Sequence, residues 1–174
     1  MRRVKQFFRC ITAKLTEEDK KIINEYLNEN EINLLYKLPV YDIKHCVSVA
    51  MDIKTNESED KLIKNNINYK ELIRIALLHD IGKSYKILNP FDKSILVLSN
   101  KFTKGRIKKY ENKSRKIYIY FNHGKEGYKI LKGNEYSEEF LKVIRDHHDY
   151  SKNNKWLEII RKYDDMNWQA KFEL

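Results

Sequence analysis

The stretch Glu71-Leu-Ile-Arg-Ile-Ala-Leu-Leu-His-Asp-Ile-Gly-Lys83 places six apolar side chains in the seven residues before His79. Apolar residues on both sides of a helix mark a buried element. This one delivers His79 and Asp80 side by side at its C-terminal end. Gly82 is placed to take the left-handed conformation that stops a helix. Neighbours on a helix point about 100° apart, but at a helix end both can bend toward one ion. Without an ion, a buried His beside a buried Asp has to hydrogen-bond to it or to the backbone. The dipeptide alone does not separate these readings.

The surrounding chain has 174 residues, 34% of them charged, with a mean hydropathy of -0.72. Its length suits one domain spanning 1–174 with a sizeable core. No run approaches the roughly 18 apolar residues of a membrane-spanning helix. Five Gly and two Pro fit a mainly helical chain. Two cysteines build no disulfide framework, so Cys10 and Cys46 are expected to be reduced thiols in a cytoplasmic protein. Met1–Leu15 has neither an unbroken apolar stretch nor a small-residue cleavage site, so no secretory leader is expected.

The formal net charge of +10 is unevenly spread. Met1–Leu15 holds five basic residues and no acid, and Lys83–Tyr118 holds eleven basic residues against Asp92 and Glu111. Such a field attracts polyanions such as nucleotides, nucleic acid or anionic lipid. Val4, Phe7, Phe8, Ile11 and Leu15 recur at helical spacing. Residues 1–15 therefore predict a basic amphipathic arm that docks on its own domain or lies peripherally on an anionic membrane.

Thr16-Glu-Glu-Asp starts a helix, with Thr16 as cap and the acids in the positive first turn. Asp42 is expected to cap a helix from Ile43 to Lys54 that carries His45, and 55–68 to be a polar loop with a short turn at Leu62–Ile63. Asn89-Pro90 opens a helix over 91–103, although Ile95–Leu98 alone also suits a strand. Arg106–Tyr110 and Lys116–Phe121 alternate around Glu-Asn-Lys-Ser, predicting a small basic β-hairpin around 106–121. Asn122 then caps a helix from His123 to Lys132, ended by Gly133. Ser137-Glu-Glu starts another through His148, and a last helix runs from Trp156 to Trp168. The expected fold class is all-α, a helical bundle with that hairpin inserted.

The chain's five histidines are His45, His79, His123, His147 and His148, each near a predicted helix end. Acids accompany them: Asp80, Asp149 and the Asp164-Asp165 pair. Imidazole and carboxylate together suit first-row divalent ions, whereas a thiolate site is not expected from two scattered cysteines. The segment Leu77-Leu-His-Asp-Ile-Gly-Lys83, with its His-Asp-Ile-Gly motif, resembles the signature of the HD-domain metal-dependent phosphohydrolases. The order His45, His79-Asp80, His123, His147-His148, Asp164 extends the resemblance from about Asp42 to Asn167.

The resemblance implies a helical fold around a metal centre. One ion would take His45, His79, Asp80 and a final Asp, for which Asp164 is preferred over Asp165. A second ion would take His123 and His147, with His148 as rival and Asp80 bridging. The extra histidines favour two divalent ions (Fe, Mn, Mg or Ni). The chain departs from cyclic-di-GMP phosphodiesterases, because His147-His-Asp-Tyr-Ser-Lys lacks their Glu and Gly-Tyr-Pro continuation. It is more similar to small bacterial HD hydrolases acting on dinucleoside polyphosphates or other nucleotides. The expected activity is therefore hydrolysis of a phosphorylated small molecule by activated water. Asp80 would bridge the ions and orient the nucleophile, Lys83 would hold a phosphate oxygen, and His148, if not a ligand, would protonate the leaving group. The alternatives are a nucleotide-sensing module without turnover, or a nucleic-acid binder using 101–116 with Tyr110, Tyr118 and Tyr120 as stacking aromatics.

Overall fold

The computed structural model describes residues 12–133 and 135–170, the last three as backbone, and among them the regular structure is helical with no strand. Two reciprocal caps set the starts of the first two helices that follow Leu15. Thr16 and Asp19 exchange side-chain bonds with each other's backbone at the start of α1 (Glu17–Tyr26), and Asn28 and Glu31 do the same for α2 (Glu29–Leu35). Helix α3 (Val40–Asn56) follows Pro39, whose fixed φ suits a helix entry. Then come α4 (Glu59–Lys64) and α5 (Tyr69–Leu78). The buried stretch at the end of α5 passes directly into a 3₁₀ turn, Ile81–Tyr85.

Asn89 caps α6 (Pro90–Phe102), with the proline in its first turn. Lys104 and Gly105 turn left-handed, and a second 3₁₀ segment (Arg106–Lys113) leads to α7 (Arg115–Leu131). Helix α8 (Glu138–Asp146) and helix α9 (Lys155–Ala170) complete the order. The main core gathers α1, α3, α5, α8 and α9 around Ile23, Val47, Ile73, Leu77, Ile144 and Ile160, all fully buried. A smaller satellite cluster of Leu88, Leu96 and Ile119 seats α6 against α7.

The expected hairpin at 106–121 is not formed: this segment is a 3₁₀ turn followed by the first two turns of α7. The alternation in Lys116–Phe121 gives way to a longer helical repeat. Ile119, Asn122, His123, Glu126 and Gly127 fall at i, i+3, i+4, i+7 and i+8, and all are buried. Ser114, read as a turn residue, is the helix cap and accepts from Ile117 N. Asn122 is therefore a mid-helix residue, donating to Glu111 and to the Tyr118 carbonyl. Ile95–Leu98 is helical, and within 55–68 the turn expected at Leu62–Ile63 extends to α4, Glu59–Lys64.

Gly82 also differs from expectation, because its φ is not positive and it ends no helix in the left-handed region. Its missing side chain serves close approach instead: a Cβ there would meet the His123 carbonyl oxygen at 1.8 Å and Gly127 N at 2.4 Å. Gly124, on the same helix, likewise lies against the backbone of Arg145 in α8. These glycines let α7 press against both chain segments that carry paired site residues. Of the N-terminal arm, residues 1–11 lie outside the described residues, and Leu15 packs on the main core. Among the described residues no helix is long and apolar enough to cross a membrane.

Candidate metal centre

All five histidines and two carboxylates converge where α3, the end of α5, α7, the end of α8 and α9 meet. His79, Asp80, His147 and Asp164 are buried, as are His45 and His123, and His148 keeps 41% of its side chain accessible. One cluster is His45, His79 and Asp164, and the other is Asp80, His123, His147 and His148.

Asp80 stands between them. Its Oδ2 lies 3.6 Å from His79 Nε2 and 3.7 Å from His45 Nε2. Its Oδ1 lies 3.3 Å from His123 Nε2 and 3.9 Å from His147 Nε2. Each carboxylate oxygen thus faces a different cluster. His45 Nε2 is 2.9 Å from Asp164 Oδ1, and His148 Nε2 is 3.9 Å from Asp164 Oδ2.

Three rings are held the same way. Nδ1 of His79 is 2.8 Å from the Ala76 carbonyl, Nδ1 of His123 is 3.2 Å from that of Ile119, and Nδ1 of His147 is 2.7 Å from that of Ile144. A carbonyl only accepts, so Nδ1 donates in each ring. In the neutral rings this leaves the lone pair on Nε2, the arrangement that readies an imidazole for a metal. Nε2 of His79 and of His147 are buried without a hydrogen-bond partner. Lone pairs facing a carboxylate at these distances repel one another unless a cation lies among them. The donor set, imidazole nitrogen plus carboxylate oxygen, suits a divalent first-row ion.

Electrostatics agree with this. Burial opposes ionisation of Asp80, but the Lys83 ammonium and the neighbouring imidazoles overcome it, so its carboxyl stays well below the usual range. Burial likewise opposes ionisation of Asp164, and His45 and His79 outweigh it. Burial, then the crowding of His148, His123 and His79, pushes His147 well below the usual imidazole range. Burial and His123 lower His148 to about 3, although its outer edge is accessible. The site thus favours anionic carboxylates, with His147 and His148 neutral. Lys83 Nζ contacts Asp80 Oδ2, and the carboxylates overcome its burial and raise its pKa.

The structure separates the two candidate aspartates. Asp164 faces the cluster, whereas Asp165 accepts from the Tyr150 hydroxyl at 3.3 Å, away from it. It does not separate His147 from His148, because both reach the site, with ring centroids 4.2 Å apart. Asp149 instead accepts from Ser151.

Residues 42–168 match the family model of the HD domain. The chain belongs to the HD-domain family. No curated protein and no solved structure matches it. HD domains are generally metal-dependent hydrolases, and the His/Asp clusters here are compatible with a metal site.

Cys46, Arg161 and the Asp42–Lys93 pair shape this HD-domain site in ways the sequence did not show, and Asp42 is not the helix cap it was expected to be. Cys46 sits within 4.8 Å of His79 and Asp80, so it is better placed than its isolation in sequence implied. Burial and Asp80 push its thiol well above the usual range, leaving it a neutral packing group. Arg161 spans the far end of α8, donating to the carbonyls of Asp146, His147, Asp149 and Lys152 at 2.7–2.8 Å. It fixes the turn that carries His147 and His148. Asp42, one turn before His45, accepts from Lys93 of α6 at 2.5 Å. No local pattern marks Arg161 or Lys93, since each binds a segment distant in sequence.

Proposed function

We propose that this HD domain is a phosphohydrolase or phosphodiesterase working with two divalent ions. The observation that carries the reading is Asp80, with one oxygen toward each cluster and with unpartnered imidazole nitrogens on both sides. His45, His79, Asp164 and Asp80 would hold one ion, and His123, His147 and Asp80 the other. His148 fits the second set better than the role of acid. It lies within 4.8 Å of those ligand atoms, and its burial beside His123 disfavours the protonated form that an acid needs. Bound ions supply Lewis-acid activation of water and neutralise phosphoryl oxygens.

The chain's own residues contribute orientation and charge. The backbone carbonyls of Ala76, Ile119 and Ile144 lock three rings, which keeps the ligand set preorganised. Lys83 is held beside the centre by Asp80. Once that carboxylate is shared with ions, its ammonium is placed to hold a phosphoryl oxygen as a point charge. The excess of lysines over 83–118 favours a multiply anionic substrate, and a nucleotide is the class we propose.

The test is metal analysis of the purified protein, followed by a panel of mono-, di- and cyclic nucleotides with Mn²⁺ or Fe²⁺. Bound metal and hydrolysis are expected together, both lost in His79→Ala and Asp80→Asn. Tight metal binding with no turnover on the panel would instead support a sensing module. Full activity in either variant refutes the reading.

A further inference from the structure

Helix α6 presents an unusual outer face. Phe91, Ile95, Leu98 and Phe102 are 64%, 45%, 38% and 81% accessible. They stand at i, i+4, i+7 and i+11, an arc of about 60° running roughly 16 Å along the helix. On its inner side α6 buries Leu96 alone, against Leu88 and Ile119. The stripe is a continuous ridge rather than scattered surface residues, so it calls for a partner.

The exposed charge where the ridge ends and the chain runs on has one sign. Lys101 in its last turn and Lys104, Arg106, Lys108, Lys109 and Lys113 beyond its C-terminal end are all exposed. The nearby acids are already engaged. Asp92 pairs with Lys116 at 2.7 Å, Asp42 takes Lys93, and Glu111 accepts from Asn122 at 2.7 Å. Among the described residues none of these six cations forms an ion pair with Asp92 or Glu111.

We propose that the α6 ridge and the cations of 101–113 form a docking face for a membrane surface rich in anionic phospholipid. An amphipathic helix with aromatic and aliphatic residues on one face and lysines beside it lies in the headgroup plane. Each lysine near such a surface adds about 1 kcal/mol of attraction, which is roughly a fivefold gain in partitioning. A second copy of this chain is disfavoured, because it would set the same positive segment against itself. Nucleic acid fits the ridge less well: Phe91 and Phe102 stand at its two ends, and Ile95 and Leu98 between them offer no ring for successive bases to stack on.

The face is independent of the catalytic reading, because none of its residues belongs to either metal cluster. The test is co-sedimentation of the full chain with vesicles of phosphatidylcholine alone or mixed with phosphatidylserine, at low and high salt. Two double variants accompany the parent: Phe91→Ser with Phe102→Ser, and Lys101→Glu with Lys104→Glu. All four positions are exposed, and unchanged metal content would confirm that both variants fold.

Binding is expected only with phosphatidylserine. It should weaken at least tenfold in each variant and fall at high salt. The proposal is overturned if the chain ignores anionic vesicles, or if both variants bind them like the parent, which would put the contact in residues 1–15. It is also overturned if the same variants abolish oligonucleotide binding or a dimer while leaving lipid binding intact.

Discussion

Replacing Gly82 by alanine tests whether backbone contact between the 3₁₀ turn and α7 assembles the metal centre. The added Cβ would lie 1.8 Å from the His123 carbonyl oxygen, 2.4 Å from Gly127 N and 2.8 Å from the His123 carbonyl carbon. All three are main-chain atoms in mid-helix, so no side chain can rotate away. Ordinary contact begins at 3.4 Å, and the two segments must therefore separate by about 1.6 Å. Overpacking a core ordinarily costs about 1–3 kcal/mol. A backbone clash against a whole helix belongs at or above the top of that range, roughly 3–5 kcal/mol. At about 2–4 °C per kcal/mol for a chain of this size, the midpoint should fall by roughly 10 °C.

The same displacement carries His123 away from Asp80, two residues before the substitution. Their 3.3 Å approach opens toward roughly 5 Å. Thermal unfolding followed by circular dichroism reads the first effect, and bound metal per chain reads the second. Gly105→Ala is the control. Its φ of +83° strains an alanine, but nothing lies within 4 Å of the new Cβ. It should cost about 1–2 kcal/mol and leave metal content alone. If Gly82→Ala unfolds within 1 kcal/mol of the parent and binds metal normally, close backbone packing does not build this site.

Arg161→Lys should destabilise by about 3 kcal/mol in urea, since one ammonium replaces few of the four carbonyl bonds at the end of α8. Metal affinity should drop with it, and an unchanged affinity would show that His147 and His148 hold their places without it. Manganese at about 100 times its dissociation constant should add about 2.7 kcal/mol and raise the midpoint by roughly 5–10 °C, reversed by chelator. No shift in Asp80→Asn would tie that gain to the centre. Burial opposes ionisation of Glu57, but Lys61, Tyr163 and Lys162 hold its pKa at about 2, below the usual 4.5. Its contribution is therefore complete above pH 4.5 and is lost as pH falls toward 2. Because both lysines are more than half exposed, the loss should be only about 1–2 kcal/mol. Glu57→Gln should flatten that limb of the stability curve, and an unaltered limb would assign the acid loss elsewhere.

The HD-domain resemblance and the local signals explain what was legible. The match over 42–168 agrees with the span read from the order of histidines and aspartates. Thr16, Asn89 and Ser137 cap helices as their side chains predict, because a cap needs only the next three residues. Elements that depend on a partner were less legible. Lys116–Phe121 satisfies a strand's alternation and a helix's repeat alike. The buried surfaces around Ile119 and His123 decide for the helix.

Sequence by itself therefore determined the helical class, the metal-suited residue types and most helix starts, since each follows from interactions within a turn or two. Tertiary structure alone decided that Asp164 faces the centre while Asp165 turns to Tyr150, that Gly82 serves contact rather than a turn, and that Arg161 ties down the end of α8. Those outcomes depend on which distant segment lies opposite, and that is set by how all the apolar faces are buried at once.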